Sequence, residues 1–399
     1  MQIKVFGGIY LNLEQQIIKE LREGIIPELY SKGYSPKDVK NEIIESLSMY
    51  FKNKHILEEL AISSLVTDWI NLNNYRPHFK DLEKHILKLK NKCDESYDKN
   101  NQLTLNILKN HMINHHKASN TFWTIVEEQN FDDITNFNNR INKKMTFIGQ
   151  ILEGIIKVFM YELYMFYRIA KGQNIDYYEV MKEDFGAVSN FFYEQENKLF
   201  SLYDIRITDW RNIAYHHDYI VIKNGSIKCE YGNKQNRKVI QINESDLDNV
   251  LKKISEIKNV LNFVHKFFLY DNLYNLKENY EENSLSTKNV QEREEYEALF
   301  LFCSIFSQGY EITRFEYNTQ VTNVGINEMY MNDGEEPRKE FLKLLLFRIW
   351  EHTNYKFINV SYSGITTFTL STTANNCKRL SKMELNMSQF TDRVKENII

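Results

Sequence analysis

A chain of 399 residues with 42% apolar content is long enough for two or three domains with real cores. Only 4 Pro and 14 Gly stand against 25 Phe and 25 Tyr, which argues against a loop-rich β architecture and for long helices. A net charge of -4 excludes a protein that coats nucleic acid through bulk charge and leaves only local patches for that role.

The opening MQIKVFGGIYLNLEQQ lacks a basic start followed by an apolar run, so no signal peptide is expected. Residues 1–140 read as an α-helical region. Ser35 and Pro36 fit an N-cap and first-turn proline ahead of VKNEIIESLSMYF, and HILEELAISSLVTDWI is apolar on one face. HMINHH sets His111 and His115 four apart on one helix face, a metal-like pairing that no nearby carboxylate completes. Packing or surface roles are the plainer reading, and a site with a ligand borrowed from elsewhere is the alternative.

From about 144, Leu152, Ile155, Phe159, Leu163, Phe166 and Ala170 fall at helical spacing and predict a long core helix ending at Lys171 and Gly172. Glu153, Lys157 and Glu162 interrupt its apolar run, so no membrane span is expected. Further helices are expected over 186–202 and 203–217. YIVIKNGSIKCEY then gives a hairpin around Asn224-Gly225, with RKVIQI as a third strand. Ser245 and Asp248 resemble a capping box opening a helix to about 270, with Leu247, Leu251, Ile254, Ile257, Leu261, Val264 and Phe268 as its apolar stripe.

The polar run 277–297 reads as a linker. Beyond it, YEITRFEYN and YKFINVSYSGITTFTL have strand composition around a helix from near Pro337 through FLKLLLFRIW, and a last helix is expected near 382–396. Arg348 and His352 stand four apart on the Pro337 helix, with ordinary packing and surface roles expected. Cys93, Cys229, Cys303 and Cys377 form no C-x-x-C pair, so neither disulfides nor a zinc knuckle is expected and a cytoplasmic location is. The fold class is thus mainly α: a helical region at 1–140, a helical bundle with a small β-hairpin insertion at 141–276, the linker 277–297, and a small α+β domain at 298–399.

ITDWRNIAYHHDYIVIKNG carries the chemistry. Asn212 and His216 lie about 40° apart on a helix that turns about 100° per residue, whereas Arg211 lies about 140° from His216. Either the helix is distorted where it ends, or a second copy completes the site. These residue types suit attack on a phosphodiester. A histidine can take a proton from a 2′-hydroxyl or return one to a leaving 5′-oxygen, and a guanidinium can hold the phosphate oxygens as charge develops. Neither metal nor cofactor is required, and only RNA has the 2′-hydroxyl. Asn212 can hydrogen-bond the imidazole or the phosphate. From Asp204 to Lys238 there are seven Lys/Arg, including Arg206, Lys223 and Lys228, against four Asp/Glu, a rim suited to RNA. Tyr215 and Tyr219 can stack on bases. The plainer reading is that Arg211 and His216 merely end a helix, with the arginine paired to Asp209 or Asp204.

R-N-x-x-x-H at a helix end, followed by an aromatic, a short hairpin and a long amphipathic helix, resembles the HEPN superfamily, whose signature is R-x(4 to 6)-H within a bundle of about four helices. The match covers about a third of the chain. It implies a HEPN-like bundle and a metal-independent endoribonuclease of anti-phage defence, abortive infection or a toxin system. Such enzymes cut RNA in a composite cleft of a homodimer or higher oligomer and leave 2′,3′-cyclic phosphate ends. Arg211, Asn212 and His216 are the catalytic residues so implied, with His217 as the alternative histidine because it gives R-x(5)-H. His217-Asp218-Tyr219 also resembles the H-x-Y ending of HEPN toxins silenced by nucleotidylation. An antitoxin or trigger-sensing partner would complete such a system, and no membrane is involved.

Overall fold

The computed structural model of the chain describes residues 24–34, 36–61, 64–127, 134–222, 225–232, 236–278, 305, 310–318, 320–328, 339–353, 355–364, 366–382, 384–385 and 387–398. It is about 65% helical and 16% strand, so the expectation of a mainly α protein holds. No helix among the described residues is long and apolar enough to cross a membrane. Two compact units emerge among the described residues: 49–53 and 74–278 belong to the first, and 24–48, 54–73 and 305–398 to the second. The boundary drawn at residue 140 falls inside the first unit.

Four helices open the described chain: α1 (Ile25–Ser31), α2 (Pro36–Leu47), α3 (Lys54–Leu60) and α4 (Ser64–Tyr75). Pro36 begins α2, where its missing N–H is harmless. Ser35, its expected cap, lies outside the described residues. The run HILEELAISSLVTDWI contributes to two helices, α3 and α4.

The first unit is a helical bundle. After α5 (Leu82–Lys99) and α6 (Asn101–Glu127), α7 (Phe137–Ile151) continues through a π-helical turn at Leu152–Ile156 into α8 (Lys157–Ala170). Asn136 caps α7 by accepting from the Asn139 N–H, so the core helix starts before 144. It ends where expected, with Lys171 as C-cap and Gly172 at φ +79. The short α9 (Tyr177–Val180) precedes α10 (Phe185–Phe200).

The helix expected over 203–217 is shorter than that. A hairpin of β1 (Ser201–Leu202) and β2 (Ile205–Arg206) turns on Tyr203 and Asp204, both at positive φ as so tight a turn requires. Only Ile207–Tyr215 forms α11. Next, β3 (Tyr219–Val221), β4 (Ile227–Tyr231) and β5 (Lys238–Ile242) make an antiparallel sheet, with Gly225 at φ +80 between the first two. Asn224 lies outside the described residues.

The long α12 (Glu244–Asp271) comes next, then α13 (Leu273–Glu278). The capping box of α12 is Asn243 and Asp246, not Ser245 and Asp248. The Asn243 side chain accepts from the Asp246 N–H at 2.9 Å and Asp246 accepts from the Asn243 N–H at 3.0 Å. Asp248 instead meets Lys144 of α7 at 2.5 Å.

Buried Leu247, Leu251, Ile254, Ile257, Leu261, Val264 and Phe268 line one side of α12 at three- and four-residue spacing, which sets that side against α5, α7 and α8. Lys90 of α5 is buried between Asp94 at 2.8 Å and Asp271 at 2.9 Å. Asp271 also accepts the backbone N–H groups of Lys52 and Asn53 at 3.1 and 2.7 Å, tying residues 52–53 to the end of α12. Removing one member of such a buried set costs about 3–5 kcal/mol.

The C-terminal part of the second unit is a five-stranded sheet in the order β10-β9-β8-β7-β6, formed by β6 (Tyr310–Tyr317), β7 (Val321–Glu328), β8 (Phe357–Ser363), β9 (Thr367–Thr373) and β10 (Lys395–Ile398). β7 and β8 are parallel, joined across α14 (Lys339–Thr353), and the other pairs are antiparallel. Alternating Ile358, Val360 and Tyr362 on β8 and Phe368 and Leu370 on β9 are buried with Leu342, Leu346 and Ile349 of α14. No strand was expected at 321–328. In place of a final helix over 382–396, α15 (Ala374–Ser381) and α16 (Met387–Thr391) lead into β10. Pro337, residues 279–297 of the polar run and Cys303 lie outside the described residues. Arg348 pairs with Glu351 at 3.2 Å on the exposed face of α14, as a surface role requires.

Candidate functional site

The α11 helix places the motif. Its N-cap is Arg206 and its C-cap is His216, whose N–H still donates to the Asn212 carbonyl at 2.9 Å, so Asn212 and His216 share a face. His217 comes next at φ +55, and the Asp218 N–H reaches back to the Ile213 carbonyl at 3.0 Å. This is the closing pattern in which glycine usually occupies the position of His217. Trp210, Ile213 and Ala214 bury the other face of α11. Gly149 of α7 faces Ala214 and Tyr215, where a Cβ would meet the Ala214 Cβ at 3.6 Å, so the two helices approach closely.

Arg211 is half-buried and oriented by three neighbours. Its Nε and Nη2 each lie 2.9 Å from Glu153 Oε2, Nη1 donates to Asn212 Oδ1 at 3.0 Å, and its guanidinium lies 5.2 Å from the centre of the Tyr215 ring. Glu153 belongs to the π-helical turn and also accepts from Lys157 at 2.6 Å. Partial burial opposes its charge, but Lys157 and Arg211 outweigh that and hold its carboxyl below the usual value. The Tyr215 ring also meets the His216 imidazole edge-on at 5.8 Å. Guanidinium and imidazole therefore both lie near one exposed aromatic ring, although helix geometry sets Arg211 and His216 about 140° apart around α11.

The remaining expected residues divide. Tyr219 donates to Asn142 Oδ1 at 3.0 Å and its ring lies 6.0 Å from that of His217. On β4, Lys228 pairs with Glu230 at 3.0 Å, while Cys229 between them is buried and its thiol is pushed up to about 12 by burial. Arg206 is not brought to the site. It stands at the opposite end of α11 from His216, binds Asp209 through Nε at 2.8 Å and Nη2 at 3.0 Å, and also donates to Asn190. A helix of nine residues separates the two ends by about 14 Å. The plainer alternative, Arg211 paired with Asp209 or Asp204, is replaced by the pair with Glu153, and Arg206 takes Asp209. Lys223 lies outside the described residues.

Sequence reasoning misses Glu153 and Lys157 as site residues, although their four-residue spacing inside an otherwise apolar helix is visible. The pairing of His111 and His115 also acquires partners. His111 is spoken for, with Nε2 2.9 Å from the Val158 carbonyl and Nδ1 3.1 Å from the Tyr177 hydroxyl. His115 faces Glu162 of α8, its Nε2 3.0 Å from Oε1, and His265 of α12 sets its Nδ1 2.9 Å from Oε2. The carboxylate that the sequence lacks near the histidine pair therefore comes from a helix further along the chain. Burial pushes the His115 imidazole down to about 3.

No protein-family model matches the chain, and no curated protein or solved structure is found to be similar to it.

Proposed function

We propose that the chain is a HEPN-like endoribonuclease, with α7–α8, α10, α11 and α12 as its bundle, acting as a cytoplasmic anti-phage defence or toxin effector. The observation that carries this reading is the arrangement at Tyr215: an oriented guanidinium 5.2 Å from the centre of an exposed aromatic ring and an exposed imidazole 5.8 Å from it. A base stacks on Tyr215, Arg211 binds the adjoining phosphate, and neutral His216 takes the proton of the 2′-hydroxyl. The 2′-oxygen attacks phosphorus and the bond to the 5′-oxygen breaks. The imidazolium, in this copy or a second, returns the proton to that leaving oxygen, giving a 2′,3′-cyclic phosphate and a 5′-hydroxyl. No cofactor takes part. A second copy suits the geometry because Arg211 and His216 diverge along α11. The regions 1–140 and 298–399 then sense a trigger or hold the site inactive.

Purified full-length protein is expected to cleave labelled RNA in EDTA. Arg211→Ala and His216→Ala should each lower the rate about 10²–10³-fold, the cost of removing one group that stabilises developing charge or moves the proton. Cleavage that survives both substitutions defeats the proposal. The ion pair of Arg211 with Glu153 favours a second reading, a HEPN-like module that binds RNA or nucleotide without cutting it. Binding without product, and without growth inhibition on expression, would select that reading.

A further inference from the structure

Within the first unit, three side chains from three helices converge where the nuclease reading has no use for them: His115 on α6, Glu162 on α8 and His265 on α12. Their donor atoms all lie within 4.8 Å of one another. His115 and Glu162 are buried, and the His265 side chain is 10% exposed. We propose that His115, Glu162 and His265 form a buried site for a divalent transition-metal ion of the zinc class that joins α6, α8 and α12.

Four observations point to an ion in place of a simple hydrogen-bonded triad. First, the donor set is two imidazoles and one carboxylate, the borderline nitrogen and oxygen ligands that Zn2+ and its neighbours select. Second, Glu162 Oε1 and both His115 nitrogens are buried without a hydrogen-bond partner among the described residues. The 3.0 Å approach of His115 Nε2 to Oε1 has the distance of a hydrogen bond but not its alignment. Buried polar atoms left in that state are uncommon and call for a ligand.

Third, each imidazole sets a nitrogen against the same carboxylate, and the rings, stacked at 3.6 Å with 27° between their planes, would turn apart to take one ion between their nitrogens. An ion bonded at about 2.1 Å spaces tetrahedral donors about 3.4 Å apart, so the contacts of 3.0 Å from His115 to Oε1 and 2.9 Å from His265 to Oε2 would lengthen slightly on loading. Fourth, the surroundings suit a fixed site. Phe159 closes one side at 4.5 Å from the His115 ring, and His111, one turn away on α6, is already committed to Val158 and Tyr177. On loading, the ion takes the position of any proton on His265 Nδ1, which moves to Nε2 or leaves to solvent.

The test is independent of nuclease activity. Full-length protein is unfolded with EDTA, desalted, refolded with excess Zn2+ or Co2+ and desalted again. About one ion per chain is expected, with the visible absorption of tetrahedral cobalt and a melting temperature above that of protein refolded without metal. Glu162→Gln and His265→Asn, judged folded by circular dichroism, should lose the ion by at least the roughly 10–100-fold that even outer-shell changes cause, whereas His111→Gln should keep it. Refolded wild-type protein that retains neither metal would overturn the site, as would variants that bind as tightly as wild type. Having two ligand variants keeps the test decisive if one fails to fold.

Discussion

His217 is the residue whose backbone constrains its role most. At φ +55 it takes a conformation that costs a residue with a Cβ about 1–2 kcal/mol relative to glycine. His217→Gly is therefore expected to raise unfolding stability by about 1 kcal/mol, read from the urea midpoint. The same variant separates the two histidines of the motif. Cleavage that persists assigns proton transfer to His216, whereas lost cleavage in a more stable protein transfers that role to His217. Their ambiguity in the sequence is real, because spacing alone fits both. What spacing cannot supply is the partner of Arg211. Glu153 lies 58 positions upstream, and only folding brings it to the guanidinium. The cluster of His115, Glu162 and His265 is hidden for the same reason.

At the scale of elements, periodic apolar residues make the long helices legible, and Lys171-Gly172 correctly marks a helix end. Features that break periodicity are not legible. The π-helical turn, the hairpin on Tyr203 and Asp204, and strand β7 with its Gly and Asn residues carry little pattern of their own. The start of α12 shows how close the choice can be, since Asn243 and Asp246 compete with Ser245 and Asp248 two residues on.

The first turn of α12 also gives a pH prediction. Glu244 accepts from Arg140 at 2.6 and 2.9 Å and from Lys144 at 2.9 Å. These bonds, Arg140 foremost, hold its carboxyl down to about 2 despite partial burial. A folded-state value below the unfolded value of about 4.3 contributes stability above that pH and loses it as pH falls toward 2. Glu244→Gln is expected to cost on the order of 1 kcal/mol at pH 7, after allowance for solvent screening, with the difference from wild type closing by about pH 2. A series of urea melts across pH checks this.

At the scale of the whole molecule, the proposed composite cleft needs a surface for a second copy. The outer face of the sheet after His217 offers one: Ile220, Ile222 and Val239 are exposed around the Lys228–Glu230 pair. The face begins three residues after His217, so a partner seated on it would stand beside the motif. Ile220→Asp is expected to shift the protein toward monomer in sedimentation and to lower cleavage with it, while leaving the fold intact. A monomeric wild type that still cleaves would end the composite-cleft proposal. The sequence displays this face only as β composition, because which side of a strand faces outward depends on what packs beneath it, here α11.

The π-helical turn at Leu152–Ile156 holds one amino acid more than the α-helix it interrupts. Since every added residue rotates the downstream helix by about 100°, that surplus sets the angular phase between α7 and α8. Glu153 is thereby aimed at a guanidinium on the rim while Glu162 is aimed at two imidazoles inside, and one inserted residue acts as the gear tooth that keeps both in mesh. Deleting it would leave the composition of both constellations untouched and turn one carboxylate away from its partners.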